Sequence, residues 1–198
     1  MTATKLLILA SLRELGSAHG YQIRRDLQHR GVDVWANIQQ GSIYHALGKL
    51  HRDGLVREAP TTKGPSRGPA RTEYAITAAG RTAFVDYLEQ ALSSYGGDIS
   101  ETIAGVGLMT ELPRRRVIEL LSQRVDGLTT WRSQVVDVYE ASDEDWLHHV
   151  EAIRLWARTA DSAIDWTTDL IHRLEQGDYV MAGEEAEEAD GGERTDDR

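Results

Sequence analysis

The chain has 198 residues, a formal net charge of −10 at pH 7 and no cysteine. Its length allows one large domain or two small ones, and 40% apolar with 27% charged residues is ordinary for a globular protein. The absence of cysteine excludes disulfides, thiolate metal sites and iron–sulfur clusters, and it fits the reducing cytoplasm in which we expect the protein. No run approaches the roughly 20 apolar residues of a membrane span, so we expect no membrane partner.

The charge is divided unevenly along the chain. Residues 1–90 hold 12 Lys and Arg against 8 Asp and Glu, whereas residues 91–198 hold 10 against 24. Such asymmetry indicates different partners for the two halves. Because salt screens surface charges beyond roughly 8 Å, a basic face in the first half is able to attract nucleic acid despite the acidic total.

Apolar positions at helical spacing, each series stopped by glycine, predict three short helices in the first 54 residues. The predicted ranges are 4–15, 19–30 and 41–53, with residues 33–40 connecting the second helix to the third. Ser42 is placed to cap the N–H groups at the start of the third helix. Gly54 is placed to end it.

After Gly54 the hydrophobic period changes. Two short strands are predicted at 55–59 and 71–76, and the loop between them is rich in proline and glycine. Lys63, Arg67 and Arg71 have almost no acidic neighbours, so the hairpin tip is cationic and suited to a phosphate backbone or a minor groove. Three helices followed by such a hairpin predict a winged helix-turn-helix.

Only helical patterns follow the hairpin. Helices are predicted at 77–95, 99–112, 113–141 and 143–176, with a Gly-Gly-Asp break at 96–98. Pro113 is predicted in the first turn of its helix. Ser142, with Asp145 three residues on, is predicted to cap the last helix.

The predicted fold is therefore mainly α with a small β-hairpin. We expect an N-terminal winged helix-turn-helix over 1–95 and a C-terminal α-helical dimerisation and effector domain over 96–181. Residues 182–198 are acidic and poor in apolar residues, so they are predicted to form a disordered tail.

The third predicted helix has two unlike faces. Ile43, Ala46, Leu47 and Leu50 form an apolar stripe, whereas hydrogen-bonding groups and cations form a second stripe at Ser42, His45, Lys49 and Arg52. Side chains of the second kind read base edges and neutralise phosphates when a helix lies in the major groove. Gln39 and Gln40 stand at the start of this helix, where a bidentate contact to adenine is available. Tyr44 lies beside the polar stripe, within reach of a phosphate.

Four spaced blocks in the first 80 residues resemble the PadR family of transcriptional regulators. They are His19-Gly20-Tyr21, Gly41-Ser42-Ile43-Tyr44-His45-Ala46-Leu47, Leu50-His51-Arg52-Asp53-Gly54-Leu55-Val56 and the run from Gly68 to Gly80. The helical second half is similar in layout to the longer PadR subgroup, although there the match is of pattern more than of motif.

The resemblance implies a ligand-responsive repressor that binds a palindromic DNA operator as a homodimer. It places Ser42, Tyr44 and His45 in the groove, Lys49 and the hairpin cations on phosphates, and Tyr21 near the DNA backbone. His45 and Gly48 stand where the family often has basic side chains, which shifts weight from the helix to the hairpin.

The second half contains candidates for pairing and for ligand binding. Its last helix repeats apolar residues over about three heptads, which indicates a helix-on-helix seam and favours a closed homodimer. Trp156, with Met109, Trp131 and Arg154, is predicted to form a pocket for a small aromatic or amphipathic effector, with packing in the core as the alternative for each.

No feature of the sequence points to catalysis or to a cofactor. There is no nucleophile elbow or phosphate loop, and adjacent His148 and His149 diverge by about 100° on a helix, so no metal site is predicted. A second hypothesis treats the chain as a winged-helix interaction module that recruits a protein through its acidic half. A helical enzyme is a distant third.

Overall fold

The structure, a computed structural model, describes residues 3–36, 39–60, 72–140 and 148–184. These residues form helices and three short strands around one core. The helices are α1 (Ala3–Leu15), α2 (Gly20–His29), α3 (Val32–Trp35), α4 (Gln40–Arg52), α5 (Ala78–Ser93), α6 (Ile99–Gly107), α7 (Arg114–Glu140) and α8 (His149–Glu175). The strands are β1 (Ser17–Ala18), β2 (Val56–Ala59) and β3 (Glu73–Ile76), and a 3₁₀ turn spans Met109–Glu111.

Helix α1 is the centre of the structure. Leu6, Leu7, Ile8, Leu9 and Leu12 are buried around nearly the whole circumference, as expected for a helix that is apolar on all sides. It packs against α2 and α4 on one side and against α5 and α6 on the other. Buried Ser11 donates a hydrogen bond of 2.6 Å to Asp26, which also accepts from Arg30, so α1 and α2 are joined by polar as well as apolar contacts.

The strands form one antiparallel sheet in the order β1-β3-β2. The hairpin pairs Val56 with Ile76 and Ala59 with Glu73, which confirms the predicted wing, although its first strand begins at Val56 rather than Leu55. The sequence analysis missed β1, which pairs Ser17 with Ala75. The tip of the hairpin, residues 61–71, lies outside the described residues.

The junction between the sheet and α5 explains the motif from Thr77 to Gly80. The Thr77 hydroxyl caps α5 by accepting from the Gly80 N–H at 3.0 Å, and it donates to the carbonyl of Gly54 at 2.8 Å. A Cβ on Gly80 would lie 2.0 Å from the Leu55 carbonyl oxygen. Only glycine therefore lets α5 begin this close to the start of β2.

Helix α4 differs at its start from the prediction. It begins at Gln40 with Gln39 as its N-cap, and Gln39 makes no side-chain cap hydrogen bond. The predicted Ser42 cap is therefore wrong, because Ser42 already lies in the first turn and its N–H donates to the Gln39 carbonyl. Gly54 does end the helix, with a φ of 72°. The connection before α4 contains a short helix, α3, that was not predicted.

Two predicted helix boundaries in the second half also change. The helix predicted over 99–112 ends at Gly107 and continues as the 3₁₀ turn. Pro113 immediately precedes α7 rather than lying in its first turn, and its carbonyl accepts from the N–H groups of Arg116 and Val117. The predicted Ser142 cap lies outside the described residues.

Helices α7 and α8 form an antiparallel pair. Arg132 forms an ion pair with Asp161, while the first turn of α7 lies beside the last turn of α8. Ala160, Thr167, Leu170 and Leu174 are buried, so these positions of the predicted seam face the interior of the chain.

The chain after α8 is held down as far as Glu184. The Arg114 guanidinium donates to the carbonyls of Leu174 and Tyr179 and forms an ion pair of 2.7 Å with Glu184. Met181 is buried beneath this segment. Residues 182–184, the start of the predicted tail, are therefore fixed to α7, and the rest of the tail lies outside the described residues.

Most of the buried apolar residues in the described ranges belong to one cluster that extends from α1 to Met181. The predicted division near residue 95 stays a prediction. None of the helices in the described ranges is long and apolar enough to cross a membrane.

Candidate nucleic-acid interface

Helix α4 presents the two faces that its spacing predicts. Ile43, Leu47 and Leu50 are almost completely buried against α1 and α2, and this fixes the rotation of the helix. Ser42, His45, Lys49 and Arg52 are all exposed. The polar stripe is therefore accessible to a ligand as large as duplex DNA.

Tyr44 is positioned by a glycine on the neighbouring helix. The Tyr44 side chain is 49% exposed, and a Cβ on Gly20 would lie only 2.7 Å from its ring carbon Cε1. The ring thus lies directly against the backbone at the start of α2. That start is itself fixed by a capping box, in which His19 Nδ1 accepts from the Gln22 N–H and Gln22 accepts from the His19 N–H.

Tyr21 follows Gly20 in the first turn of α2 and is 52% exposed. Its ring centroid lies 6.3 Å from that of His19. Tyr21 and Tyr44 are thus both exposed near the contact between α2 and α4. Their hydroxyl groups are suited to phosphate contacts.

A groove of about 700 Å³ runs between the start of α1 and the polar stripe of α4. It is lined by Thr4, Lys5, Gly41, Ser42, His45, Ala46 and Lys49. Partial burial and the nearby Lys49 ammonium lower the pKa of Lys5, and Asp53 opposes this effect. Two cations held this close repel each other, and a phosphate between them would relieve the repulsion.

Lys5 is a candidate site residue that sequence reasoning missed. The apolar spacing of the first helix identified it as a core helix, and no local motif marks one lysine at its start. Its place beside Lys49 depends on the packing of α1 against α4, which sequence spacing does not reveal.

Of the remaining residues predicted to contact DNA, the structure describes some and not others. Gln39 is exposed just before α4, and Gln40 is the first residue of the helix. Lys63, Arg67 and Arg71 lie outside the described residues, so their roles stay predictions. Exposed Arg57 on β2 adds a cation to the body of the hairpin.

The four residues predicted for an effector site are only partly brought together. Trp131 and Trp156 meet edge to face with ring centroids 4.2 Å apart, and Tyr95 lies 6.2 Å from Trp131. Met109 is instead buried in the hydrophobic core. Arg154 is directed to an ion pair with Glu151 on the exposed face of α8.

The absence of a metal site stays a prediction. His148 lies just before α8 rather than within it, so the prediction that the two histidines diverge along one helix is wrong. His148 and His149 are adjacent, with ring centroids 4.3 Å apart. Within the ranges that the structure describes, no group of three or more His, Asp or Glu side chains is arranged to hold a metal ion.

Helices α1, α2 and α4, followed by a β-hairpin wing, are typical of the winged helix-turn-helix class, and α4 has an exposed polar face. Residues 8–86 match the sequence model described as the Transcriptional regulator PadR-like family. This match spans all four sequence blocks and confirms the resemblance that they carry.

The chain is also similar to individual proteins. It is 27% identical to the probable transcriptional regulator Rv1176c of Mycobacterium tuberculosis, over 85% of this chain and 96% of that protein. Crystal structures of Bacillus subtilis PadR with operator DNA and with p-coumaric acid are 19% and 17% identical, with TM-scores of 0.39 and 0.38. The alignments cover 86% and 88% of this chain and 98% and 99% of those chains.

Proposed function

We propose that this transcriptional regulator is a repressor that binds a palindromic DNA operator as a homodimer. The observation that carries the proposal is the arrangement on α4, where Ser42, His45 and Lys49 share one exposed face and Lys5 joins them from α1. Hydroxyl and imidazole groups are suited to base edges, and the two ammonium groups are suited to phosphates.

The roles divide by position. Ser42 and His45 lie in the first half of α4, the part of a recognition helix that contacts base edges, with Gln39 and Gln40 just ahead of them. Lys5, Lys49, Tyr21 and Tyr44 surround this part and contact the backbone. The wing cations Lys63, Arg67 and Arg71 extend the backbone contacts along the duplex.

Dimerisation is supported by apolar surface on the helical half. Leu155 is 70% exposed, and the next residue, Trp156, contacts the exposed Trp131 of α7. Large apolar side chains gathered on one part of a surface mark an interaction site. A single winged helix reads only a short half-site, and a two-fold dimer supplies the second copy.

Ligand control follows from the aromatic content of the same half. A small aromatic or amphipathic effector that binds there would change the tilt of the two winged helices. Their separation would then no longer match the roughly 34 Å repeat of DNA, and the complex would release the operator.

The test of the DNA proposal is selection of bound sequences from random duplex DNA by the full chain, with sedimentation velocity on the same preparation. We expect an enriched palindrome and a dimer. A monomer, or an enriched site without symmetry, would contradict the homodimeric operator complex. No enrichment at low ionic strength would overturn DNA binding itself.

Removal of residues 185–198 distinguishes this function from recruitment of a protein through the acidic half. The deletion begins after Glu184, so the shortened chain keeps the ion pair between Glu184 and Arg114. DNA affinity should be unchanged or slightly higher, because the segment removed holds seven Asp and Glu against two Arg. A variant that keeps DNA binding but loses a protein partner would favour the interaction module.

A further inference from the structure

A second large cleft opens in the helical half, on the side of the chain formed by α6, α7 and α8. Its volume is about 700 Å³, within the range of small-molecule sites. It is lined by Ile99, Thr102, Ile103, Val106, Arg124, Arg158, Thr159, Ser162, Ala163 and Trp166. None of the four residues predicted for an effector site lines this cleft.

Arg124 is the unusual residue of this cleft. It is only 8% exposed, and its Nε is a buried donor with no hydrogen-bond partner in the described part of the chain. One of its terminal nitrogens donates to the Ser94 carbonyl, which is a neutral acceptor. Burial lowers the pKa of Arg124, and among the described residues no carboxylate offsets that cost.

Three other arginines of α7 have the carboxylate partner that Arg124 lacks in the described part of the chain. Arg114, Arg116 and Arg132 each form an ion pair with a carboxylate from another part of the chain. These three are more exposed than Arg124, which has no ion-pair partner among the described residues. A buried cation without a counter-charge is costly, so an anion bound beside it would be strongly favoured.

The rest of the lining matches a ligand with one charged end. Arg158 adds a second cation, and Thr102, Thr159 and Ser162 add hydroxyl groups. Ile99, Ile103, Val106 and Trp166 supply apolar surface for the other end. We propose that this cleft binds an amphipathic monoanion, with its carboxylate or sulfonate at Arg124 and its apolar body against α6 and Trp166.

The location connects ligand binding to the DNA-binding half. Helix α6 forms one wall of the cleft, and it also packs against α1 and α5. Its contact with α5 is close, since a Cβ on Gly105 would lie 2.9 Å from the Ala91 Cβ. This inference rests on the proposed function, because it assigns a location and a chemical class to the effector.

The experiment uses two fluorescent probes of similar shape with the full chain. 8-Anilinonaphthalene-1-sulfonate carries one anionic group, whereas N-phenyl-1-naphthylamine is neutral. We expect saturable binding of one sulfonate per chain, with energy transfer from tryptophan. Arg124→Met should weaken sulfonate binding about tenfold and leave binding of the neutral probe unchanged.

Two further variants keep the test decisive if Arg124→Met folds poorly. Ala163→Leu fills the cleft without changing charge and should weaken both probes. Arg115→Met removes an arginine whose side chain is 92% exposed on the same helix and should change neither. Equal sulfonate binding by Arg124→Met and the unmodified chain would overturn the proposal. Dissociation of a dimer by Ala163→Leu would also overturn it, by showing that a second copy covers the cleft.

Operator binding by the same variants without probe separates the two proposals. Normal DNA affinity with no probe selectivity would reject the ligand site and leave the DNA-binding function intact. Loss of DNA binding by the unmodified chain would reject the proposed function, whatever the probes do.

Discussion

The cations of α4 and those of α7 have opposite surroundings. Lys49 and Arg52 are exposed and have no ion-pair partner in the described part of the chain, whereas Arg114, Arg116 and Arg132 each pair with a carboxylate. The paired arginines connect elements of the fold, and the unpaired cations are available to an external anion. Charge therefore indicates a binding surface only where the fold leaves it unpaired.

The largest expected effect comes from the glycine that fixes the wing onto α5. Gly80→Ala would place a Cβ 2.0 Å from the Leu55 carbonyl oxygen, so α5 and β2 would have to separate. We expect the free energy of unfolding to fall by about 3 kcal/mol in urea denaturation. Gly96→Ala is the matched control, because no atom lies within 4 Å of its new Cβ. Equal stability of the two variants would show that the junction is not needed.

The next effect sharpens the contrast between unpaired and paired cations. Lys5→Ala with Lys49→Ala should weaken DNA binding on every sequence and flatten the slope of log affinity against log salt by about two. Arg115→Ala removes one positive charge from α7 and should leave the slope unchanged. A full slope in the double variant would remove both lysines from the phosphate contacts.

A smaller effect is expected from the glycine beneath Tyr44. Gly20→Ala should displace the Tyr44 ring and weaken operator binding several-fold with little change in stability, because the ring is half-exposed and can move. The double variant Gly20→Ala with Tyr44→Ala should bind no worse than Tyr44→Ala alone. Additive losses would mean that Gly20 acts through something other than this ring.

The smallest effect tests a paired cation. A hydrogen bond from Arg116, at 2.6 Å, holds the pKa of Glu89 below its ordinary value of 4.5. Glu89 therefore stabilises the fold above that pH, and the contribution is lost as the pH falls through the lower value of the folded state.

At pH 7, Glu89→Gln should reduce the free energy of unfolding by less than about 1 kcal/mol. The difference from the unmodified chain should disappear in acid. Glu58→Gln, on the exposed face of β2, provides a comparison without an ion pair in the described residues. A difference that persists when Glu89 is protonated in both states would exclude the ion pair as its cause.

Local patterns were enough to predict much of the DNA-binding half. The faces of α4, the stop at Gly54 and the start of α5 at Thr77 depend on neighbours within a few residues. Strand β1 was missed because it is two residues long and pairs with the distant β3. The Ser42 cap was wrong because the N-cap of α4 is Gln39, three residues earlier.

The candidate site depended more strongly on packing. Ser42, His45 and Lys49 were identified from spacing on one helix, whereas Lys5 joins them only through the contact of α1 with α4. The burial of Arg124 had no counterpart in the sequence, where it is one of five arginines on α7. A helical stripe follows from spacing within one element, whereas the burial of a charge depends on how three or more elements pack together.

The position of α1 also limits how the molecule can be divided. A fragment cut near residue 95 would expose to water the side of this helix that α6 now covers. Because its leucines belong to the same cluster as Val117, Leu121 and Leu174, both halves should melt in a single cooperative transition. The winged helix of this chain thus depends for its folding on helices that lie outside it.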